Sequence, residues 1–417
     1  MELKRTILGF FLALFAVAAS AQDTIPPADT TAAAADTVVF SSDSLTPWAQ
    51  RVRERIDRIV SAPISETSLV GIGIYDITAD SLIYQHNLRQ TMRPASTEKV
   101  LTAITALQQL GGSFRFETSL YVSGAVGEDS VLSGDVCIVG GMDPMFGHDD
   151  MRAFAAALRE MGIDSIAGKV ITDISIKDTL RWGSGWCWDD DMTPLRALLY
   201  NGKDIFVPEF FSALRAQGIS FAGNAVVGRL GSIGEARRIA VRYHTIDQVL
   251  MTMLKESDNT YAESLFYQLG AQDKIAYAGA ERSAWKVKAM ISRMGLDPSR
   301  YVVADGSGVS LYNYASPELL MRALVYVRSR QNIYDHLYPA LPVAGVDGTL
   351  ERRMRGTAAQ FNVHAKTGTL EGVITLAGYA TSPEGHELAF AIFNSGVLHD
   401  RNARRFQDSI CRAITEK

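Results

Sequence analysis

Pro94-Ala95-Ser96-Thr97-Glu98-Lys99-Val100-Leu101-Thr102 is the stretch on which the reading of this chain turns. An apolar stripe of Val100, Leu101, Ile104, Leu107 and Leu110 follows at helical spacing and Gly111-Gly112 ends it, so the pattern predicts a helix over residues 96–110. Its first turn presents Ser96 and Lys99 together, because residues three apart share a helix face at about 5–6 Å between Cβ atoms. A serine hydroxyl is a poor nucleophile until a base takes its proton, and a lysine can be that base only if its pKa falls from ~10.4 toward neutrality. Burial and a second cation both push it that way. Ser96 also suits a helix N-cap, and the two roles are compatible.

Working outward, Thr245-Ile246-Asp247-Gln248 has the capping-box pattern and opens a helix through Val249, Leu250, Met253 and Leu254. A second helix is expected over residues 260–269, stopped by Gly270, which leaves Ser257-Asp258-Asn259 at the junction. Residues 362–370, 373–381 and 387–394 read as three consecutive strands, most simply an antiparallel meander, with a closing helix over residues 401–415. The first strand carries Lys366-Thr367-Gly368-Thr369, where an interior glycine marks close approach of another backbone. Lys366 is the natural second cation for Lys99 if this strand lies beside the helix start. It would also favour the terminal carboxylate of a peptide substrate. Ser-x-x-Lys, Ser-x-Asn and Lys-Thr-Gly in that order resemble the series of the penicillin-recognising serine enzymes. A further Ser-x-x-Lys, Ser283-Ala284-Trp285-Lys286, lies in a helical stretch with Val287, Met290 and Ile291 and has no Ser-x-Asn after it. It is expected to be an ordinary amphipathic surface.

Other stretches narrow the resemblance. Pro94-Ala95-Ser96 with Lys99-Val100-Leu101-Thr102 is one, and Asp305-Gly306-Ser307-Gly308-Val309-Ser310 followed by Tyr312-Asn313 is another. Gly134-Asp135 with Gly140-Gly141-Met142-Asp143-Pro144 is a third. Over residues 48–417 the chain resembles the low-molecular-mass class C penicillin-binding proteins, the D-alanyl-D-alanine carboxypeptidase/endopeptidase family. That resemblance implies an α/β (α+β) fold: a β-lactamase-like transpeptidase domain with an antiparallel sheet flanked by helices, plus an inserted mixed α/β subdomain. It implies attack on peptidoglycan stem peptides through a Ser96 acyl-enzyme, with β-lactams as covalent inhibitors and no cofactor or metal. By the same resemblance Lys99 is the general base, Ser257 a proton relay to the leaving group, Asn259 a contact to the substrate amide and Lys366 an electrostatic partner. Thr367 and Thr369, on either side of Gly368, would hold the substrate carboxylate, and the backbone N–H groups of Ser96 and Thr369 would form the oxyanion hole. The double-glycine turn at residues 305–310 is assigned to structure near the site. The interval between Ser96 and Ser257 is shorter than usual for that family, which implies a reduced insert.

Two rivals are weighed. A serine β-lactamase must also activate a deacylating water, yet Glu-x-x-Leu-Asn is absent and the second motif is Ser-Asp-Asn, not Tyr-x-Asn. A non-catalytic cell-wall-binding or β-lactam-sensing module fits poorly with intact catalytic positions. Neither His-Glu-x-x-His nor Gly-x-Ser-x-Gly occurs, and His364, two residues before Lys366, is expected to be a packing residue.

Composition sets the compartment and the partners. With 41 Lys+Arg against 46 Asp+Glu and no basic block, nothing attracts a phosphate backbone, and nucleic acid is not an expected partner. Lys4 and Arg5, an apolar run over residues 7–19 and Ala19-Ser20-Ala21 read as a signal peptide over residues 1–21. The run is short of the ~20 residues a membrane span needs. No cysteine lies near the expected cleavage after Ala21, so an exported, periplasmic location without a stable membrane span is the expectation. Residues 22–46, rich in Ala, Thr, Asp and Ser around Pro26-Pro27, read as a disordered linker. Folded structure is expected from Pro47, where Trp48, Val52, Ile56 and Val60 recur on a charged helix, followed by a hairpin of residues 69–75 and 82–84. Residues 47–112 and 245–417 are assigned to the peptidase domain and residues 113–244, with short β-like runs and a helix over 151–161, to an inserted subdomain. An export route permits a Cys137–Cys187 bridge; with Cys411, three buried small hydrophobes are the other reading.

Overall fold

The computed structural model describes residues 46–417. The signal-peptide and linker expectations therefore lie outside the described residues, apart from Thr46. That threonine caps the first helix, Pro47–Val60, accepting from Ala49 N at 3.2 Å, and Pro47 sits in the first turn where its missing N–H costs nothing. Trp48, Val52 and Ile56 are buried as the four-residue recurrence predicts, while Val60 is only half-buried where the helix leaves the core.

Two sheets organise the molecule. The first is five-stranded and antiparallel throughout, in the spatial order His364–Leu370, Val373–Thr381, Glu387–Ser395, Leu69–Asp76, Ser81–His86. The expected meander and hairpin are thus neighbours in one sheet. Val70, Ile72 and Ile74 share one face and pack with Trp48, Val52 and Ile56 of the first helix and Phe406, Ile410 and Ile414 of the closing helix Asp400–Thr415. On the opposite face Gly71 and Gly73 stand where a Cβ would meet Met92 Cε at 2.3 Å and Leu88 Cδ1 at 2.6 Å. The glycines let the helix Pro317–Arg328 and the segment before the nucleophile lie directly on the sheet.

The second sheet is mixed, in the order Ala236–Thr245, Arg115–Ser123, Val136–Val139, Val170–Asp173, Ala225–Val227, with parallel pairing among the last three. The helices His148–Glu160 and Phe206–Ala216 pack Phe154, Leu158, Phe210 and Leu214 against it. A small three-stranded sheet of Ala125–Val126, Val131–Ser133 and Ser165–Ile166 completes this half.

The chain re-enters the first half through the expected capping box: Gln248 N donates to Thr245 Oγ1 at 3.3 Å and Thr245 N donates to Gln248 Oε1 at 2.8 Å. Thr245→Ala is expected to cost about 1 kcal/mol of stability, read as a lower urea midpoint at unchanged slope.

Several expectations are corrected. The helix predicted over residues 96–110 begins as a 3₁₀ turn, Ala95–Thr97, and only then runs as an α-helix, Glu98–Leu110. Gly270 does not stop the helix Asn259–Ala271, which passes through it: its N–H donates to Ser283 Oγ at 3.1 Å, and the missing side chain admits the neighbouring helix Ala280–Arg293. Ser283 is therefore a buried helix–helix contact, whereas Lys286 pairs with Asp273 at 2.6 Å as a surface residue would. The three cysteines are free thiols; Cys137 and Cys411 are buried, but Cys187 is exposed, so neither the bridge nor uniform burial holds.

Candidate active site

Ser96 sits in the 3₁₀ turn that opens the Glu98–Leu110 helix, its side chain partly open to solvent. The turn is held in an unusual backbone: Ala95 has φ 48°, left-handed for a residue with a Cβ, and is fully buried. Two glycines press against it. A Cβ on Gly308 would fall 1.9 Å from the Ala95 carbonyl, and one on Gly368 would lie 3.0 Å from both Ala95 Cβ and Pro94 O. The Asp305–Ser310 turn and the Lys366-Thr367-Gly368 strand thus clamp the backbone just before Ser96 from two sides, and Thr375 Oγ1 anchors Pro94 O at 2.7 Å.

One helical step on, Lys99 is completely buried. Its Nζ donates to Ser96 Oγ at 3.0 Å, Asn259 Oδ1 at 2.7 Å and the Ser307 carbonyl at 2.8 Å. Burial brings its pKa down to about 8, against the opposing pull of Asp305, Glu263 and Asp258. Burial, and secondly the charge of Lys99, hold Lys366 well below the ordinary lysine range, so the two buried amines disfavour each other's charge, with burial the larger cause for both.

A second hydroxyl–amine pair lies beside the first. Lys366 Nζ donates to Ser257 Oγ at 2.8 Å and to the Thr367 carbonyl at 2.8 Å. Ser257 stands at φ 65°, the left-handed exit of a wide π-helical turn, Thr252–Glu256, and Asp258 caps the next helix by accepting from Tyr261 N at 3.0 Å. Asn259 follows at the first position of that helix, which is why its side chain reaches Lys99. Ser96, Lys99, Ser257 and Lys366 are thus brought together as two hydroxyl–amine pairs whose amines feel each other's charge. Thr367 Oγ1 donates to Thr349 Oγ1 at 2.7 Å, and Thr369 is exposed. The strand that carries them is the edge of its sheet. Pro342 and Val343 cover its start, accepting from Ala365 N and bridging to His364, while from Thr367 onward no strand among the described residues pairs with the outer side, where the Thr367 carbonyl receives Lys366 Nζ. His364 stacks on Tyr338 at 4.3 Å between ring centroids, as a packing residue.

Lys255 and Glu263 have no counterpart among the sequence motifs, whereas Asp305 opens the expected glycine turn. Lys255, buried in the π-turn, donates to Asp347 Oδ2 and to the Leu341 carbonyl, both at 2.7 Å, and so ties Ser257's turn to the segment bearing Thr349. Asp305 accepts from Gly308 N, Ser310 N, Asn313 Nδ2 and Trp186 Nε1, at 2.6–2.8 Å, which draws a loop of the mixed-sheet half to the site. Glu263 accepts from Gly306 N at 3.0 Å and Ser307 N at 2.8 Å. It lies one helical turn after Asn259, a spacing that could have singled it out.

The fold and the site define an α/β architecture with a hydroxyl and a buried amine in contact at its centre, the arrangement of a serine hydrolase. Residues 52–202 and 199–417 match the D-Ala-D-Ala carboxypeptidase 3 (S13) family, so nearly all of the described chain is accounted for. The chain belongs to that family, the low-molecular-mass class C penicillin-binding proteins, and is a serine-type D-Ala-D-Ala carboxypeptidase. It is 25% identical over 419 residues to the D-alanyl-D-alanine carboxypeptidase DacB of Haemophilus influenzae, covering 80% of this chain and 86% of that one. A D-alanyl-D-alanine carboxypeptidase of Actinomadura sp. (strain R39) is likewise 25% identical over 441 residues, covering 83% and 81%. In fold it is similar to the crystal structure of penicillin binding protein 4 from Haemophilus influenzae, with TM-score 0.77 at 24% identity over 85% of this chain and 97% of that one.

Proposed function

We propose that this carboxypeptidase trims peptidoglycan stem peptides ending in D-Ala-D-Ala, and opens D-Ala cross-links by the same chemistry, after export and removal of its leader near Ala21. The observation that carries the reading is the 3.0 Å contact between Ser96 Oγ and a fully buried Lys99 whose pKa lies at about 8. In the resting cleft the Lys99 ammonium donates to Ser96; once it has shed a proton, its lone pair can take the hydroxyl proton as Oγ attacks the penultimate D-Ala carbonyl. The N–H groups of Ser96 and Thr369 receive the oxyanion. Collapse of the tetrahedral adduct breaks the peptide bond, and Ser257, held by Lys366, relays to the departing D-Ala amine the proton that Lys99 took from Ser96, giving up its own hydroxyl proton and receiving that one in its place. Water then hydrolyses the Ser96 ester and regenerates the hydroxyl.

Substrate placement follows from the open strand edge. An extended peptide can pair beside residues 367–369, with its carboxylate at Thr367 and Thr369 and its amide at Asn259. β-Lactams, mimicking that peptide, would acylate the same serine. We further assign residues 113–244 to an inserted subdomain whose Trp186 loop reaches the site through Asp305. Incubation with labelled penicillin and with a pentapeptide ending in D-Ala-D-Ala tests the proposal: slow label release together with free D-Ala is expected. Rapid loss of label would instead indicate a β-lactamase, and stable label without D-Ala a sensor.

A further inference from the structure

Behind Lys99, on the side away from Ser96, three carboxyl groups are buried together: Glu98 on the nucleophile's helix, Glu263 on the helix Asn259–Ala271, and Asp305 in the glycine turn, each at most 1% exposed. Burying acids is expensive unless each is satisfied or neutral. Asp305 is satisfied by the donors described above. Glu98 Oε1 has no protein partner, and burial, then Asp305 and Glu263, hold its carboxyl well above the ordinary range. Glu263 differs from both. It takes two successive backbone N–H groups, those of Gly306 and Ser307, and the carbonyl of that same Ser307 receives Lys99 Nζ at 2.8 Å.

We propose that Glu263 is a positioning residue for the acylation base: it fixes the Ser307 carbonyl against Lys99 Nζ, and its carboxylate charge governs the protonation of that amine. The groups facing this pair are Glu98, Asp258, Asp305, Lys366 and Tyr267, the last one turn along Glu263's own helix. Glu263 titrates at about 8, raised by burial first and by Asp305 next, in the same range as Lys99. The amine and the carboxyl therefore form a coupled pair over one pH interval. An ionised Glu263 favours the Lys99 ammonium; a neutral group in its place releases the proton more readily.

The proposal rests on Lys99 serving as the base at Ser96, and the experiment separates the two ideas. Acylation by labelled penicillin is followed as a function of pH for the mature protein and for Glu263→Gln and Glu263→Ala. The glutamine oxygen can still accept from both N–H groups, so Glu263→Gln should keep the loop, lose less than tenfold on the alkaline plateau, and shift the acid limb to lower pH by about one unit. Glu263→Ala frees the loop as well, and its plateau rate should fall at least tenfold below that of Glu263→Gln with KM for pentapeptide little changed. An unshifted limb in Glu263→Gln overturns the proposal while leaving the Lys99 reading intact. A wild-type enzyme with no acid limb at all overturns both.

Discussion

Ser96→Ala is expected to abolish covalent labelling by penicillin and to lower D-Ala release from a pentapeptide by roughly 10⁴-fold or more, because no neighbouring group can take over as nucleophile. Ser257, the other serine among the four side chains, is held by Lys366 and sits at the exit of its own turn, not at the clamp formed by Gly308 and Gly368. Ser96 is partly open to solvent, and Lys99 Nζ, which loses one acceptor on truncation, keeps Asn259 Oδ1 and the Ser307 carbonyl. The melting temperature should therefore stay within a degree or two, which separates lost chemistry from lost fold. Labelling of Ser96→Ala at the wild-type rate would sink the mechanism.

The second large effect concerns the base. Lys99→Met removes the amine while keeping an unbranched chain of similar length, and acylation is expected to fall by about 10³-fold. In the wild type the neutral amine is the active form, so the acylation rate should rise about tenfold per pH unit below the Lys99 pKa of about 8 and level off above it. Lys99→Met should lose that limb along with the rate. Stopped-flow acylation between pH 5.5 and 9.5 would show it, and a variant that kept both rate and limb would transfer the role of base elsewhere.

The parts of this site that could be read from the chain are those where side-chain chemistry and local period agree. Ser96 and Lys99 lie three apart at a helix start, and Lys366 to Thr369 lie on a strand bounded by clear turn signals, so each is placed by its own neighbours in sequence. The strands His364–Leu370, Val373–Thr381 and Glu387–Ser395 emerge within two residues of the pattern for the same reason. Glu263, Glu98 and Lys255 escaped because a charged residue on a helix reads as solvated. What makes their burial tolerable comes from far along the chain: Gly306 and Ser307 N–H for Glu263, Asp347 and the Leu341 carbonyl for Lys255. No local window contains those partners. Gly270 misled for a similar reason, since its usual meaning as a helix stop was outweighed by Ser283 packing against it. Lys366 stands close enough to Lys99 for their charges to oppose each other, and burial outweighs that repulsion as the cause of the low Lys99 pKa.

The strand Leu69–Asp76 has one neighbour, Ser81–His86, immediately after it in sequence and the other, Glu387–Ser395, near the far end. A chain synthesised from its amino end must therefore leave this strand half-paired until almost everything else has followed, and Lys366 joins Ser257 only then. The complete site is consequently a late event in the life of the molecule.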